Sequence, residues 1–263
     1  MALARSKLKE LRALAQRKVR EEQQLFLAEG VRLVQDALDS DSQFVGVYYT
    51  EALRDTPSGK ALLARLKGKT SEVHPTTERE MEAIADTVNA QGILALLRQR
   101  RYTPEQIVGG GDAGSLLVAF DEIADPGNLG TMIRTCDWFG VDGILLGKNS
   151  VELYNPKVVR STMGGIFHVP IAADVDLLPV ISRARAAGYR VFVTDVHGET
   201  HFDHPSYPQK SLLVFGNEAW GVTDQLKQLA DVRLSIRRYG AAESLNVSVA
   251  CGIVLSSMRR LSR

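Results

Sequence analysis

The stretch Ser115-Leu116-Leu117-Val118-Ala119-Phe120-Asp121-Glu122-Ile123-Ala124-Asp125-Pro126-Gly127-Asn128-Leu129-Gly130-Thr131-Met132-Ile133-Arg134 carries the pattern that decides the fold. The unbroken apolar run over 116–120 predicts a strand buried on both faces, and the apolar spacing over 129–139 predicts a helix. Between them, Pro126, Gly127 and Gly130 allow a tight turn, and Asn128 stands where a residue would cap the helix. The pattern then repeats. Strands are predicted at 143–146, 190–196, 212–215 and 232–236, and helices at 156–163, 177–187, 223–230 and 246–260. Alternation of this kind predicts an α/β domain with a parallel sheet covered on both faces, in which ligands sit beyond the carboxyl ends of the strands.

Upstream, residues 6–38 read as helical, with Leu8, Leu11, Leu14 and Val19 at helical spacing and Val31, Leu33, Val34 and Leu38 resuming it after Gly30. Strands at 44–49 and 92–97 flank a helix at 60–67, which makes a small mixed α/β unit. Pro and Gly cluster between Arg98 and Gly114, so the expected division is a first domain over 1–100, a linker over 101–114 and a second domain over 115–263. Gly109, Gly111 and Gly114 match the G-x-G-x-x-G dinucleotide fingerprint. That motif must follow a strand and open a helix; here it precedes the most strand-like segment of the chain and reads as linker.

The chain has 263 residues, 44% of them hydrophobic and 24% charged, with a net charge of +1, which excludes disorder as its main state. No apolar run approaches the roughly 20 residues of a membrane span, and the first residues pass into a charged helical pattern with no signal-peptide core. A cytoplasmic protein is expected. Cys136 and Cys251 have neither metal nor disulfide-scaffold spacing. The charge is unevenly spread. Arg5, Lys7, Lys9, Arg12, Arg17, Lys18 and Arg20 face only Glu10 in the first 20 residues, and Arg98, Arg100 and Arg101 form a second cluster. Arg233, Arg237, Arg238, Arg259, Arg260 and Arg263 face only Glu243 at the other end. Such patches suit a phosphate backbone and equally suit solvated helix faces.

Three loops after strands gather polar groups. Arg134, early in the helix after the first strand, has a planar fork suited to phosphate or carboxylate, or to a surface ion pair. Glu218, in Gly216-Asn217-Glu218-Ala219-Trp220-Gly221, lies between glycines that let a ligand approach the backbone, although a plain turn has the same composition. Ser244-Leu245-Asn246-Val247-Ser248 opens the last helix, where small polar side chains cap free N–H groups or receive a polar ligand.

Together, Asn128-x-Gly130-x-x-x-Arg134, Gly216-x-Glu218-x-x-Gly221 and Ser244-Leu245-Asn246-Val247-Ser248 resemble the three ordered motifs of the SpoU (TrmH-like) RNA ribose methyltransferases. The resemblance spans nearly the whole chain. Arg17-Lys18-x-Arg20 and Phe26-Leu27-x-Glu29-Gly30 look like that family's N-terminal substrate-binding domain. Residues 86–92 look like its closing segment, and Asn155-Pro156-Lys157-Val158-Val159-Arg160-Ser161 matches a stretch between the first two motifs.

The resemblance implies methyl transfer from S-adenosylmethionine to a ribose 2′-hydroxyl of RNA, with ribosomal RNA favoured by the N-terminal domain and transfer RNA the alternative. It also implies a SPOUT-type parallel-sheet domain with a deep trefoil knot, a homodimer and no metal. By motif position, the cofactor lies against Gly216, Ile236 and Leu245, with Thr194 and Asn217 nearby. Arg134 matches the essential arginine, Asn128 orients it or the ribose, and Glu218 and Asn246 organise the pocket with support from Ser244. Arg17, Lys18, Arg20, Lys157 and Arg160 are the RNA-binding candidates. A guanidinium pKa above 12 favours an electrostatic role for Arg134 over that of a base.

Cys136 fills a position that is often small in the first motif and reads as a core residue. His197-Gly-Glu-Thr-His201-Phe-Asp-His204 has no familiar zinc spacing, and His74 and His168 read as structural. Two other function classes stay in view: a non-catalytic RNA-binding module, disfavoured by the intact motif residues, and a nucleotide-dependent oxidoreductase, which rests on the misplaced glycines.

Overall fold

The computed structural model describes residues 3–87, 90–109, 114–203 and 207–261. In chain order the elements are α1 (Arg5–Ala13), α2 (Arg17–Gln23), β1 (Leu25–Glu29), α3 (Val31–Asp39), β2 (Phe44–Thr50), α4 (Glu51–Arg54), α5 (Pro57–Leu66), β3 (Val73–Thr76), α6 (Glu78–Ile84) and β4 (Ile93–Arg98). There follow α7 (Pro104–Gly109), β5 (Ser115–Phe120), α8 (Pro126–Trp138), β6 (Gly143–Gly147), α9 (Pro156–Ser161), β7 (Ile171–Val175) and α10 (Leu177–Ala186). The rest are β8 (Arg190–Thr194), β9 (Thr200–His201), β10 (Lys210–Phe215), α11 (Asp224–Lys227), β11 (Val232–Ser235) and α12 (Val247–Leu261).

These elements form two compact units, Met1–Arg100 with Tyr154–Phe167, and Arg101–Leu153 with His168–Arg263. The first holds a mixed sheet in the order β1-β4-β2-β3, antiparallel except between β2 and β3. The helix expected over 6–38 is interrupted here. Gln24 turns left-handed at φ 57° and ends α2, after which Phe26 and Ala28 alternate inward along β1. Two inward residues in five are too few for periodicity to separate from the flanking helices. The core of this unit gathers Leu11, Tyr48, Met81, Leu94 and Leu96.

The expected domain division changes in two places. Within 101–114, α7 is a helix of the second unit, and its Ile107 is buried in that unit's core; residues 110–113, with Gly111 of the glycine triplet, lie outside the described residues. Tyr154–Phe167, placed by the sequence in the second domain, packs into the first unit. Phe26 sets its ring 4.6 Å from that of Tyr154 and 6.4 Å from that of Phe167. A long-range aromatic pairing of this kind has no local sequence signature. Val88 and Asn89 of the closing segment also lie outside the described residues.

The second unit holds a sheet in the order β7-β6-β5-β10-β8-β11-β9, parallel at each pairing described. Strands β5 and β6 are buried along their whole length, as the apolar runs required. Two strands, β7 and β9, have no counterpart in the sequence reading: β7 carries Asp174 on an exposed position and β9 has two residues. Helices α8 and α12 pack on each other. Each motif loop now leaves a strand at the carboxyl edge of the sheet.

Candidate active site

The central strands run β5-β10-β8-β11, so their carboxyl ends form one continuous edge. Phe120 and Phe215 are register partners, and the loops that follow them start side by side. In the β5 loop the cap of α8 is Asp125, whose Oδ1 accepts from the Asn128 N–H at 2.8 Å. The expected cap, Asn128, is thereby released for other work. Its Nδ2 donates to Glu218 Oε1 at 3.0 Å, and its Oδ1 accepts from Asn246 Nδ2 at 3.0 Å. Glu218 also accepts from the N–H groups of Ala124 and Asp125, both at 3.1 Å. Asn246 in turn accepts from the Ser248 N–H at 2.9 Å and the Ser248 hydroxyl at 2.6 Å, which fixes the start of α12. One hydrogen-bonded chain, Glu218–Asn128–Asn246, therefore ties three loops together.

Burial would raise the Glu218 carboxyl, but donation from Asn128, Ala124 and Asp125 outweighs it and holds the group below its usual range. Arg134 stands exposed on α8, and its guanidinium makes no hydrogen bond or ion pair among the described residues. Ser244 is exposed in the loop before α12, and the hydroxyl that meets Asn246 belongs instead to Ser248.

Of the expected cofactor residues, Gly216, Ile236 and Leu245 share no backbone N–H or C=O with another backbone group among the described residues. Those groups at the carboxyl edge are the kind an adenine edge or a carboxylate would satisfy, and they fit the cofactor that the motifs imply. Gly216 is required as glycine: a Cβ there would lie 2.1 Å from Gly221 C and Val222 N. Thr194 and Asn217 have other work. The Thr194 hydroxyl donates to Val214 O at 3.0 Å. The Asn217 amide is 7% exposed, donates to Glu122 O at 2.7 Å and accepts from the Ala219 N–H at 2.8 Å. Both shape the loops that surround the site.

The sequence reading missed Asp121, which accepts from the Thr223 N–H at 2.8 Å and anchors the end of the β10 loop. Burial pushes its carboxyl above the ordinary range, against the pull of that N–H. An acid directly after a fully apolar strand was the available signal. Cys136 is buried in α8, where burial and the neighbouring Cys251 raise its thiol well above the ordinary value. In the histidine stretch, His201 Nε2 accepts from Arg237 at 3.1 Å, while His204 lies outside the described residues. No group of His, Cys, Asp and Glu is arranged for a metal among the described residues. Nor is any helix among them long and apolar enough to cross a membrane.

The expected RNA-binding residues lie in the first unit. Arg17 and Lys18 are exposed and pair with Glu21 and Glu22 at 2.6 and 3.8 Å. Arg20 departs from the expectation. It is 3% exposed, and its Nη1 donates to Leu14 O and Ala15 O at 2.7 and 2.9 Å, closing the end of α1 from within. Lys157 is exposed on α9, and Arg160 pairs with Asp86.

A parallel α/β unit with a polar constellation at its carboxyl edge follows a smaller mixed α/β unit. Residues 115–256 match the SpoU rRNA methylase family, and residues 5–95 match the MRM3-like substrate binding domain. The chain belongs to the SpoU rRNA methylase family. It is 30% identical over 256 residues, 96% of each chain, to the 23S rRNA (guanosine(2553)-2′-O)-methyltransferase RlmP of Bacillus subtilis. Among solved structures, the AdoMet-bound rRNA methyltransferase of Sinorhizobium meliloti matches with a TM-score of 0.87 and 32% identity, over 99% of this chain and 96% of that one. The SpoU methyltransferase AviRb of Streptomyces viridochromogenes, in complex with AdoMet, matches with a TM-score of 0.88 and 25% identity, over 99% and 100%.

Proposed function

We infer that this protein transfers the methyl group of S-adenosylmethionine to a ribose 2′-hydroxyl of large-subunit ribosomal RNA. The observation that carries the reading is the Glu218–Asn128–Asn246 chain, which holds three family motifs together at the carboxyl edge of a parallel sheet. When bound, the cofactor supplies the electrophilic methyl; this chain supplies position and charge. Backbone groups at Gly216, Ile236 and Leu245 hold the cofactor, and Glu218 and Asn246 fix the loops that carry them. Arg134, exposed and with a guanidinium unpartnered among the described residues, takes the phosphate beside the target ribose and stabilises negative charge on the 2′-oxygen as its proton passes to solvent water. Asn128 keeps α8, and with it Arg134, in register with the cofactor side of the site.

The unit of Met1–Arg100 with Tyr154–Phe167 is the substrate-binding part and the unit of Arg101–Leu153 with His168–Arg263 the methyltransferase part, with the trefoil knot falling in the latter. Arg17, Lys18 and Lys157 face the RNA phosphates. The protein acts in the cytoplasm as a homodimer, for which exposed Trp138 on α8 (84%) and Val249 on α12 (49%) offer apolar surface on two packed helices. The deciding experiment is transfer from labelled S-adenosylmethionine to ribosomal and transfer RNA, followed by alkaline hydrolysis. Label in alkali-resistant dinucleotides from large-subunit RNA is expected. Label confined to transfer RNA would overturn the substrate, and no label in either would overturn the activity.

A further inference from the structure

The first unit contains a cavity of about 260 Å³ that the active site does not use. Leu27, Ile84 and Leu94 give it apolar lining, and exposed Arg12 and half-buried Arg160 also line it. Two stretches of sequence far apart meet there, 12–29 and 154–160, each containing basic residues expected to contact RNA.

The aromatic wall is Tyr154. Its hydroxyl donates to Arg100 O and accepts from the Arg100 N–H, both at 2.8 Å, and its ring packs on Phe26, so the ring face is fixed before anything binds. The charges around the cavity are mostly matched internally. Arg160 pairs with Asp86, and the Glu29 carboxylate accepts from the Asp86 N–H at 3.0 Å and from the Thr87 hydroxyl. Arg12 is different: it is exposed, and its guanidinium has no ion pair or hydrogen bond among the described residues.

We propose that this cavity receives one unstacked base of the RNA substrate, with the adjoining phosphate on Arg12. Single-stranded RNA is recognised by splaying a base onto an aromatic face and hydrogen-bonding its edge. The side chains of Leu27, Ile84 and Leu94 offer apolar contact to a base, the fixed Tyr154 ring borders it, and the Arg12 guanidinium offers the charge for a phosphate. The volume lies below the roughly 300–1,000 Å³ of sites for larger ligands and suits a single base. The proposal rests on the reading that the substrate is RNA.

The test uses the full chain, labelled S-adenosylmethionine and a transcribed large-subunit RNA fragment. Two variants are compared with wild type: Arg12→Glu, which reverses the charge there, and Ala15→Trp, which places a large ring on an exposed lining position. Both are expected to raise KM for RNA about tenfold, the scale of one lost stacking contact. kcat at saturating RNA and cofactor affinity are expected to stay unchanged. Wild-type KM in Arg12→Glu and in a folded Ala15→Trp would overturn the cavity's role while leaving the activity intact. If the wild-type chain methylates no ribosomal RNA, retention of the same fragment on a filter still decides. Equal retention by wild type and variants overturns the proposal, and roughly tenfold weaker retention by the variants supports it.

Discussion

Replacing Asn128 with Ala removes the only side chain described as bonded to both Glu218 and Asn246. The bond to Glu218 is charge-assisted, worth about 1.5–3 kcal/mol, and the bond to Asn246 is neutral, worth about 0.5–1.5 kcal/mol. Glu218 retains the N–H groups of Ala124 and Asp125, and water reaches this half-exposed site, so about half of that sum should be felt, roughly 1–2 kcal/mol. Both tryptophans, Trp138 and Trp220, belong to the second unit, so their emission during urea unfolding reports that unit alone. The expected result is a lower midpoint at unchanged slope. In a cycle with Asn246→Ala, the double variant should lose less than the two singles combined, by about 0.5–1 kcal/mol. Cofactor affinity should fall as well, because the loops carrying Gly216 and Leu245 are no longer tied together. Additive losses together with wild-type cofactor affinity would refute the idea that the chain of amides organises the pocket.

Gly216→Ala should yield insoluble protein or a second unit destabilised by more than about 3 kcal/mol, because the clash is with backbone that cannot turn aside; a wild-type urea midpoint would contradict this. Arg134→Ala should abolish methyl transfer while leaving cofactor affinity and the tryptophan-detected midpoint unchanged, and full activity would remove Arg134 from the mechanism. Arg20→Met should destabilise the first unit by about 1.5–3 kcal/mol, since the buried Leu14 carbonyl and the part-buried Ala15 carbonyl lose a charged donor; circular dichroism would reveal it, and loss of RNA affinity without loss of stability would restore Arg20 as a surface contact. The lowered pKa of Glu218 means a stabilising contribution that is present above the unfolded value, about 4.3, and fades as pH falls through the lower folded value. Glu218→Gln should therefore flatten the acid limb of the second unit's stability profile, and an unchanged limb would contradict the assignment.

The carboxyl edge was legible because its strands are short apolar runs buried on both faces, a pattern that burial along β5 and β6 imposes directly. Asn128, Glu218 and Asn246 were legible only as three motifs. That one amide side chain joins them depends on Asp125 taking over the cap of α8, a swap of three residues that composition does not signal. Arg20 illustrates the opposite failure. In sequence it is one more cation in a basic run, yet an arginine can bury its whole length when backbone carbonyls at a helix end meet its fork. The membership of Tyr154–Phe167 in the first unit was hidden for a related reason: it depends on two aromatic contacts across more than a hundred residues of chain.

That last feature sets a timetable for synthesis. A unit built from Met1–Arg100 alone lacks the cover that Tyr154–Phe167 lays over Phe26, and about 65 further residues must be made before the cover exists. At synthesis rates of about 5–20 residues per second this is a delay of about 3–13 s, long compared with helix or hairpin formation. The amino-terminal unit is therefore the part that waits. A nascent chain stalled shortly after residue 100 should show it open to protease near Phe26, and one stalled well beyond Phe167 should show it closed.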